Sequence, residues 1–265
     1  MNIYLHELRS YRKNTIIWIV ALCAATVFLF SMFPAFAANA EEVAKVFERY
    51  PKAIQDAFGF DVHQIGTVPG FYSFIVTFLA LCGAVQGMNL GISVIAKETT
   101  GKTADFLLTK PVSRRKVITA KLLAVFTCIA VTSALYLAVA TAVAMAVKNR
   151  DFNYTPFLMM SLSFFFIQMI FTAMGFIMAV VIPRIKSVLP VSLSTVFGFF
   201  VIGTVASTLD VKDLYYLSPF KYFDSVRILK ESAYEPSYVI VGAAIVALAI
   251  AASYLLYARK DIHAA

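Results

Sequence analysis

Charge is scarce in this sequence. Asp, Glu, Lys and Arg make up 14% of its 265 residues against 60% hydrophobic, and the mean hydropathy is +0.79. An ordinary soluble domain carries roughly 25% charged residues, so this balance excludes that class and points to the membrane. Cysteine is nearly as rare. Cys23, Cys82 and Cys128 all fall inside apolar runs and share no pairing or ligand spacing, which excludes a disulfide framework or thiolate metal centre and leaves them as packing residues. His6, His63 and His263 stand outside the apolar runs, and no Ser/His or paired-Asp constellation lies within them, which argues against an intramembrane protease. The polar groups of the run interiors are uncharged, such as Gln86, Asn89 and Gln168. An ion-driven carrier keeps ionisable groups near mid-membrane, so that class is weakened too.

What the chain does have is length of apolar sequence. A helix needs about 20 apolar residues to span the hydrocarbon, and six runs qualify: 15–37, 71–96, 117–147, 156–182, 187–209 and 238–257. The expected fold class is therefore an all-α integral membrane protein with six transmembrane helices in a single domain. The third run is long enough to project from the bilayer and holds Lys121 near one end. Only PRIKS separates the fourth and fifth, which predicts a tight helical hairpin. The first run exceeds the roughly 7–15 apolar residues of a signal peptide. It reads as a span, although MFPAFAANA has small residues in a cleavage-like pattern.

Orientation follows the distribution of Lys and Arg. With the N-terminus inside, 14 of the 23 lie on cytoplasmic segments, and the short loops carry the bias, so both termini are expected in the cytoplasm. The net charge of +8 then reads as a topology signal and an affinity for anionic membrane lipid. No basic stripe with interleaved aromatics suggests a nucleic-acid partner.

Residues 1–14, MNIYLHELRSYRKN, place Met1, Tyr4, Leu5, Leu8 and Tyr11 on one helical face, with His6, Glu7, Arg9, Arg12 and Lys13 largely elsewhere. This predicts an interfacial helix along the cytoplasmic leaflet. In the second run Gly83, Gly87 and Gly91 recur every four residues and leave one face bare for close helix packing. Packing within one subunit and a seam with a second copy, or a pathway wall, both fit. Segments 38–70 and 210–237 are expected outside, with apolar faces among charges. Either they cap the outer end of a pathway or they rest on the outer leaflet. Aromatics are dense, 24 Phe and 13 Tyr. Most will face lipid or pack helices, and any that line a cavity would suit an amphipathic or hydrophobic cargo.

The loop at 97–116 lies within AKETTGKTADFLLTKPVSRRK, whose GKT matches the tail of a phosphate-binding loop. That loop requires G-x-x-x-x-G-K-[ST] after a strand. Here Ala96 occupies the first glycine position and a membrane span precedes it, so nucleotide binding by this chain is not expected. Instead, Ala104, Leu107 and Leu108 line one side of a short helix that Pro111 ends. Such a helix either docks in a partner's groove or lies on lipid headgroups.

Glu98, Gly101 and Thr103, followed by FLLTKPVSR from Phe106 to Arg114 between the second and third of six spans, resemble the permease subunit of bacterial ABC-2 type transporters. The resemblance covers most of the chain. It takes in the basic amphipathic start, YPKAIQDAFGF in the first outside segment and LYYLSPFKYFD between the last two spans. One departure is Lys102, where many relatives run glycine directly into threonine, and this leaves the start of the loop helix open. The resemblance implies that the loop is a coupling helix seated in a separate ABC ATPase subunit, two copies of which carry ATP and Mg, while this chain binds no cofactor or metal and is not itself an enzyme. Phe106, Leu107 and Leu108 would be its apolar contact, and Glu98, Asp105, Arg114 and Arg115 its polar ones. It further implies that the first helix is an elbow approaching the ATPase. Short re-entrant helices broken at Pro219, with Phe220 beside it, would form the extracellular gate. A second permease copy, as a homodimer, and a bacterial plasma membrane location complete the picture. Export is the implied direction. Size and layout resemble the phenol-soluble modulin exporters, which implies an amphipathic or hydrophobic peptide as cargo. A membrane sensor or scaffold recruiting a partner through the loop, and an ion-coupled carrier, remain the rival readings.

Overall fold

The computed structural model describes residues 3–100, 113–182, 185, 187–209 and 211–259. In chain order the helices are α1 (Ile3–Ser31), α2 (Phe33–Ala38), α3 (Ala40–Phe47), α4 (Lys52–Ala57), α5 (Val68–Thr100), α6 (Arg114–Val147), α7 (Tyr154–Val181), α8 (Val188–Leu209), α9 (Lys212–Tyr215), a 3-10 turn (Pro219–Phe223), α10 (Ser225–Glu231) and α11 (Pro236–Arg259). No strand occurs among the described residues. Six stretches are long and apolar enough to cross a membrane: Ile3–Ala38, Val68–Ala96, Arg115–Val147, Tyr154–Val181, Val188–Leu209 and Pro236–Leu255. Helix is the only open-ended way to satisfy every backbone polar group in hydrocarbon, and these six runs adopt it.

The first span departs from its expected outline at its start and carries a break near its other end. α1 passes unbroken through residues 14 and 15, so no boundary separates an interfacial helix from the span. Its inward face is Glu7, Tyr11, Thr15, Leu22, Thr26 and Phe30, while Leu5, expected on the apolar face, is 55% exposed. At the other end α1 stops at Ser31 and α2 takes over, with Pro34 in its first turn. A proline deeper in a helix would lose its N–H and clash with the carbonyl four residues back, so the chain breaks just before it. α5 runs to Thr100, past the expected end of the second span. α6 starts at Arg114, its first turn capped by Ser113, whose Oγ accepts from the Lys116 N–H at 3.4 Å.

The bundle is built around α5 and α7. Of the most apolar window of each, 72% and 61% of residues are buried, against 17% for α8 and α11. Glycines set the distance between the two. A Cβ on Gly87 would lie 2.6 Å from the Gln168 carbonyl oxygen, and one on Gly91 would lie 2.3 Å from that of Thr172. Gly175 returns the contact: a Cβ there would sit 2.8 Å from the Met88 carbonyl oxygen. Gly83 meets the Phe164 ring in the same way. The glycine face thus packs against α7 of the same chain. Around this pair, α1 packs on α6, α11 lies against α7 and α6, and α8 covers the remaining side of α5.

The structure therefore predicts that Gly91→Ala destabilises the solubilised protein by about 1–3 kcal/mol, the range for forced overpacking. Gly198→Ala, whose Cβ would meet nothing within 4 Å, should leave stability unchanged or slightly raised. The temperature at which half the protein remains monodisperse on gel filtration separates the two.

Candidate functional site

The helices that flank the 97–116 loop meet at one end of the bundle, called here the base. There Lys121 of α6 is 1% exposed, and its Nζ donates to Glu7 Oε1 of α1 at 3.0 Å and to the Val94 carbonyl oxygen of α5 at 2.9 Å. Glu7 is 4% exposed, and its Oε2 has no hydrogen-bond partner among the described residues. One ammonium thus joins the helix entering the loop, the helix leaving it and the N-terminal helix. Two further contacts widen the junction: Tyr4 OH meets Thr127 Oγ1 at 3.1 Å between α1 and α6, and Thr119 Oγ1 meets Tyr254 OH at 2.7 Å between α6 and α11. The start of α6 is consequently held to three other spans.

Deeper in the bundle, uncharged polar groups cross-link α5, α6 and α7. Gln86 Nε2 donates to Thr132 Oγ1 at 3.0 Å, Gln168 Nε2 donates to Gln86 Oε1 at 2.9 Å, and Ser133 Oγ donates to Gln168 Oε1 at 2.8 Å. Nearer the opposite end Tyr72 OH meets Tyr136 OH at 2.5 Å and Ser161 Oγ at 2.8 Å. A side-chain hydrogen bond between membrane helices is worth about 0.6 kcal/mol on average, so these bonds specify partners more than they supply stability.

The opposite end, the cap, is closed by folded segments. Phe47 stacks on Phe60 at 3.8 Å, and Phe60 lies edge-on to Phe74 of α5 at 5.6 Å. Ser73 anchors both segments: its Oγ donates to the Gly59 carbonyl, and its own carbonyl accepts from Ser225 Oγ at 2.9 Å. Gly59 needs its φ of 71°, and a Cβ there would meet the Ser73 carbonyl oxygen at 2.4 Å. Lys230 Nζ pairs with Asp61 Oδ2 at 3.2 Å, tying α10 to the first segment. Pro219 heads the 3-10 turn, and Phe220 packs on Phe171 at 5.1 Å and on Phe200 at 5.6 Å. Behind Phe220 a cavity of about 40 Å³ reaches Met160, Phe164 and Ile167 of α7. A larger one, about 520 Å³, is lined by Tyr215, Tyr216, Tyr222, Tyr234 and Tyr238 together with Arg227 and Glu235. Burial raises the Tyr222 phenol above its ordinary range. It stays protonated and donates to the Tyr216 carbonyl at 2.5 Å.

The anticipated site residues distribute as follows. Glu98 falls in the last turn of α5 and Arg114 opens α6. Gly101, Thr103, Asp105, Phe106, Leu107, Leu108 and Pro111 lie outside the described residues. Tyr4 reaches α6, Tyr11 is buried and Leu8 half-buried. The Glu7–Lys121 pair was not anticipated. Its signal was present, since Lys121 is the one charge within the third run and Glu7 the one acid of α1, yet no spacing rule says that they face each other.

Removing one member of a buried ion pair typically costs about 3–5 kcal/mol, because the other charge stays buried alone. Lys121→Met should show that loss in SDS-induced unfolding, and adding Glu7→Leu to it should recover most of the stability. A double variant no better than the single one would mean that the pair does not interact as a unit.

The chain has no match among curated proteins. The family described as ABC-2 family transporter protein matches it over residues 1–262, which takes in every helix described above. Permease subunits of this family lack an ATPase domain and generally pair with an ABC ATPase. With six helices able to span the bilayer and a match of this extent, the chain belongs to the ABC-2 transporter family, as a multi-pass membrane subunit.

Proposed function

We infer that the chain is the permease half of an ATP-driven exporter. Two copies of a separate ABC ATPase bind ATP and Mg, and this chain pairs with a second copy of itself in a bacterial plasma membrane with both termini in the cytoplasm. The observation that carries the reading is the base junction. Lys121 holds α1, α5 and α6 together beside the two attachment points of the 97–116 loop, so a displacement of that loop is passed to several spans at once. In this reading the loop is the coupling helix. Phe106, Leu107 and Leu108 enter an apolar groove of the ATPase, Glu98, Asp105 and Arg114 make polar contacts, Gly101 and Thr103 shape its start, and Pro111 ends it.

Closure of the ATPases would drive the switch from inward to outward access, and cargo must bind the two states with different affinity. Pro219 and Phe220 would form the outer gate, because Phe220 seals the small cavity against Phe171 and Phe200. An amphipathic or hydrophobic peptide is the cargo this reading favours; at about 40 Å³ the cavity behind Phe220 is closed to it, so the cargo would enter only after the gate opens. Peptide-stimulated ATP turnover across a peptide panel, measured in vesicles holding both subunits, tests the cargo.

Leu107→Asp together with Leu108→Asp should abolish co-purification of the ATPase and its stimulation while membrane insertion stays normal, since two charges would have to enter an apolar groove. Undiminished coupling in that variant would move the contact elsewhere. Recovery of the chain without any ATPase, even after crosslinking, would favour a scaffold or sensor.

A further inference from the structure

The outer side of α1 carries a second feature that the transport reading leaves unused. α1 has one acid, Glu7, and three cations, Arg9, Arg12 and Lys13. Because Glu7 turns inward to Lys121, no acid of the same helix compensates Arg9 and Arg12, and neither forms an ion pair among the described residues. Three residues apart, they share a helix face about 4.5 Å along the axis. Both line a groove of about 370 Å³ between α1 and α6. Further along, that groove is apolar, with Ile16 and Ile19 on one wall and Val131 on the other. Ile16 is 51% and Val131 45% exposed, so the groove opens sideways, where a spanning protein meets acyl chains.

We propose that this groove binds one anionic phospholipid, with its phosphate between Arg9 and Arg12 and an acyl chain against Ile16, Ile19 and Val131. The argument is charge complementarity joined to shape. Two uncompensated guanidiniums at one end recognise a phosphate bidentately, and the apolar remainder accepts a chain attached to it. A zwitterionic headgroup would bring its own ammonium against the same two cations, so net-negative lipid is selected. The site does not depend on the ATPase or on transport, and its test needs neither.

Trp18 is the chain's only tryptophan and adjoins Ile19 on α1, which makes it a single reporter of lipid in this region. The full chain is placed in phosphatidylcholine nanodiscs, and part of the lipid is replaced by phosphatidylglycerol or phosphatidylcholine with brominated acyl chains, which quench tryptophan. Brominated phosphatidylglycerol should reach half-maximal quenching at about fivefold lower mole fraction, the preference expected from roughly one cation's attraction to an anionic headgroup. In Arg9→Gln/Arg12→Gln the two lipids should quench alike, while Arg9→Lys/Arg12→Lys, which keeps the charge but loses the bidentate fork, should retain part of the preference and controls for folding. Val131→Phe, which fills the apolar half but retains both arginines, should also lose it. Equal quenching in the wild type, or a preference that survives the glutamine variant, would overturn the proposal. So would a preference unaffected by Val131→Phe, which would reduce the feature to surface charge without a groove. Relief of the quenching by amphipathic peptides at equal mole fraction would assign the groove to cargo instead.

Discussion

The approach of two backbones, α5 and α7, at Gly87, Gly91 and Gly175 is the constraint on which the bundle rests. Lipid tails are as apolar as leucine, so burying apolar surface does not by itself draw membrane helices together. What does is van der Waals contact at short range and hydrogen bonding away from water. The glycines provide the first by letting carbonyl oxygens of one helix sit where a Cβ of the other would be. They also make the second possible. Gln86 precedes Gly87, Gln168 faces it, and with the helices this close their amides meet directly at 2.9 Å. α6 then joins through Thr132 and Ser133, α1 joins mainly through α6, and α11 packs on α7 with a bond to α6 at Tyr254.

The two ends of this core are fastened by different forces. At the base the connections are few and polar, with one buried lysine shared among three helices. At the cap they are many and mainly aromatic, with Phe47, Phe60, Phe71, Phe74 and Phe78 forming a continuous set of ring contacts over the cap half of α5. The base, the end beside the loop, thus depends on a single ion pair, whereas the cap spreads its hold over rings, the Ser73 hydrogen bonds and the Lys230–Asp61 pair.

Much of the architecture was legible because the bilayer imposes a length. An apolar run long enough to span has few other fates, and all six runs became helices, five with ends within a few residues of those expected and the first extended back to Ile3. The small-residue face of α5 was legible for the same kind of reason, as a pattern within one helix. What it packs on was not. Gly175 is the one glycine of α7, and its partnership with Gly91 is a tertiary fact. The break before Pro34 follows from the proline's missing N–H, yet the apolar sequence around it read as one continuous run. The first helix misled for a deeper reason. Sorting its residues by polarity assigned Glu7 to water, but a carboxylate can face inward if a cation meets it there, and that cation lies 114 residues away. The family was legible in the loop motif, although most residues of that motif lie outside the described part of the chain.

That separation has a consequence for how the protein is made. α1 leaves the ribosome first, and Glu7 has no buried partner until α6 has been synthesised and inserted. Up to that moment a carboxylate without a cation is costly to bury, so the start of α1 is better placed in water than in hydrocarbon. The base can close only after translation has passed Lys121 and the third span has turned into the bilayer. Biogenesis thus has a built-in order: the core pair α5 and α7 and the closing of the base both wait on later segments, and a chain arrested before α6 would present its first helix to the insertion machinery as an incomplete and recognisable intermediate.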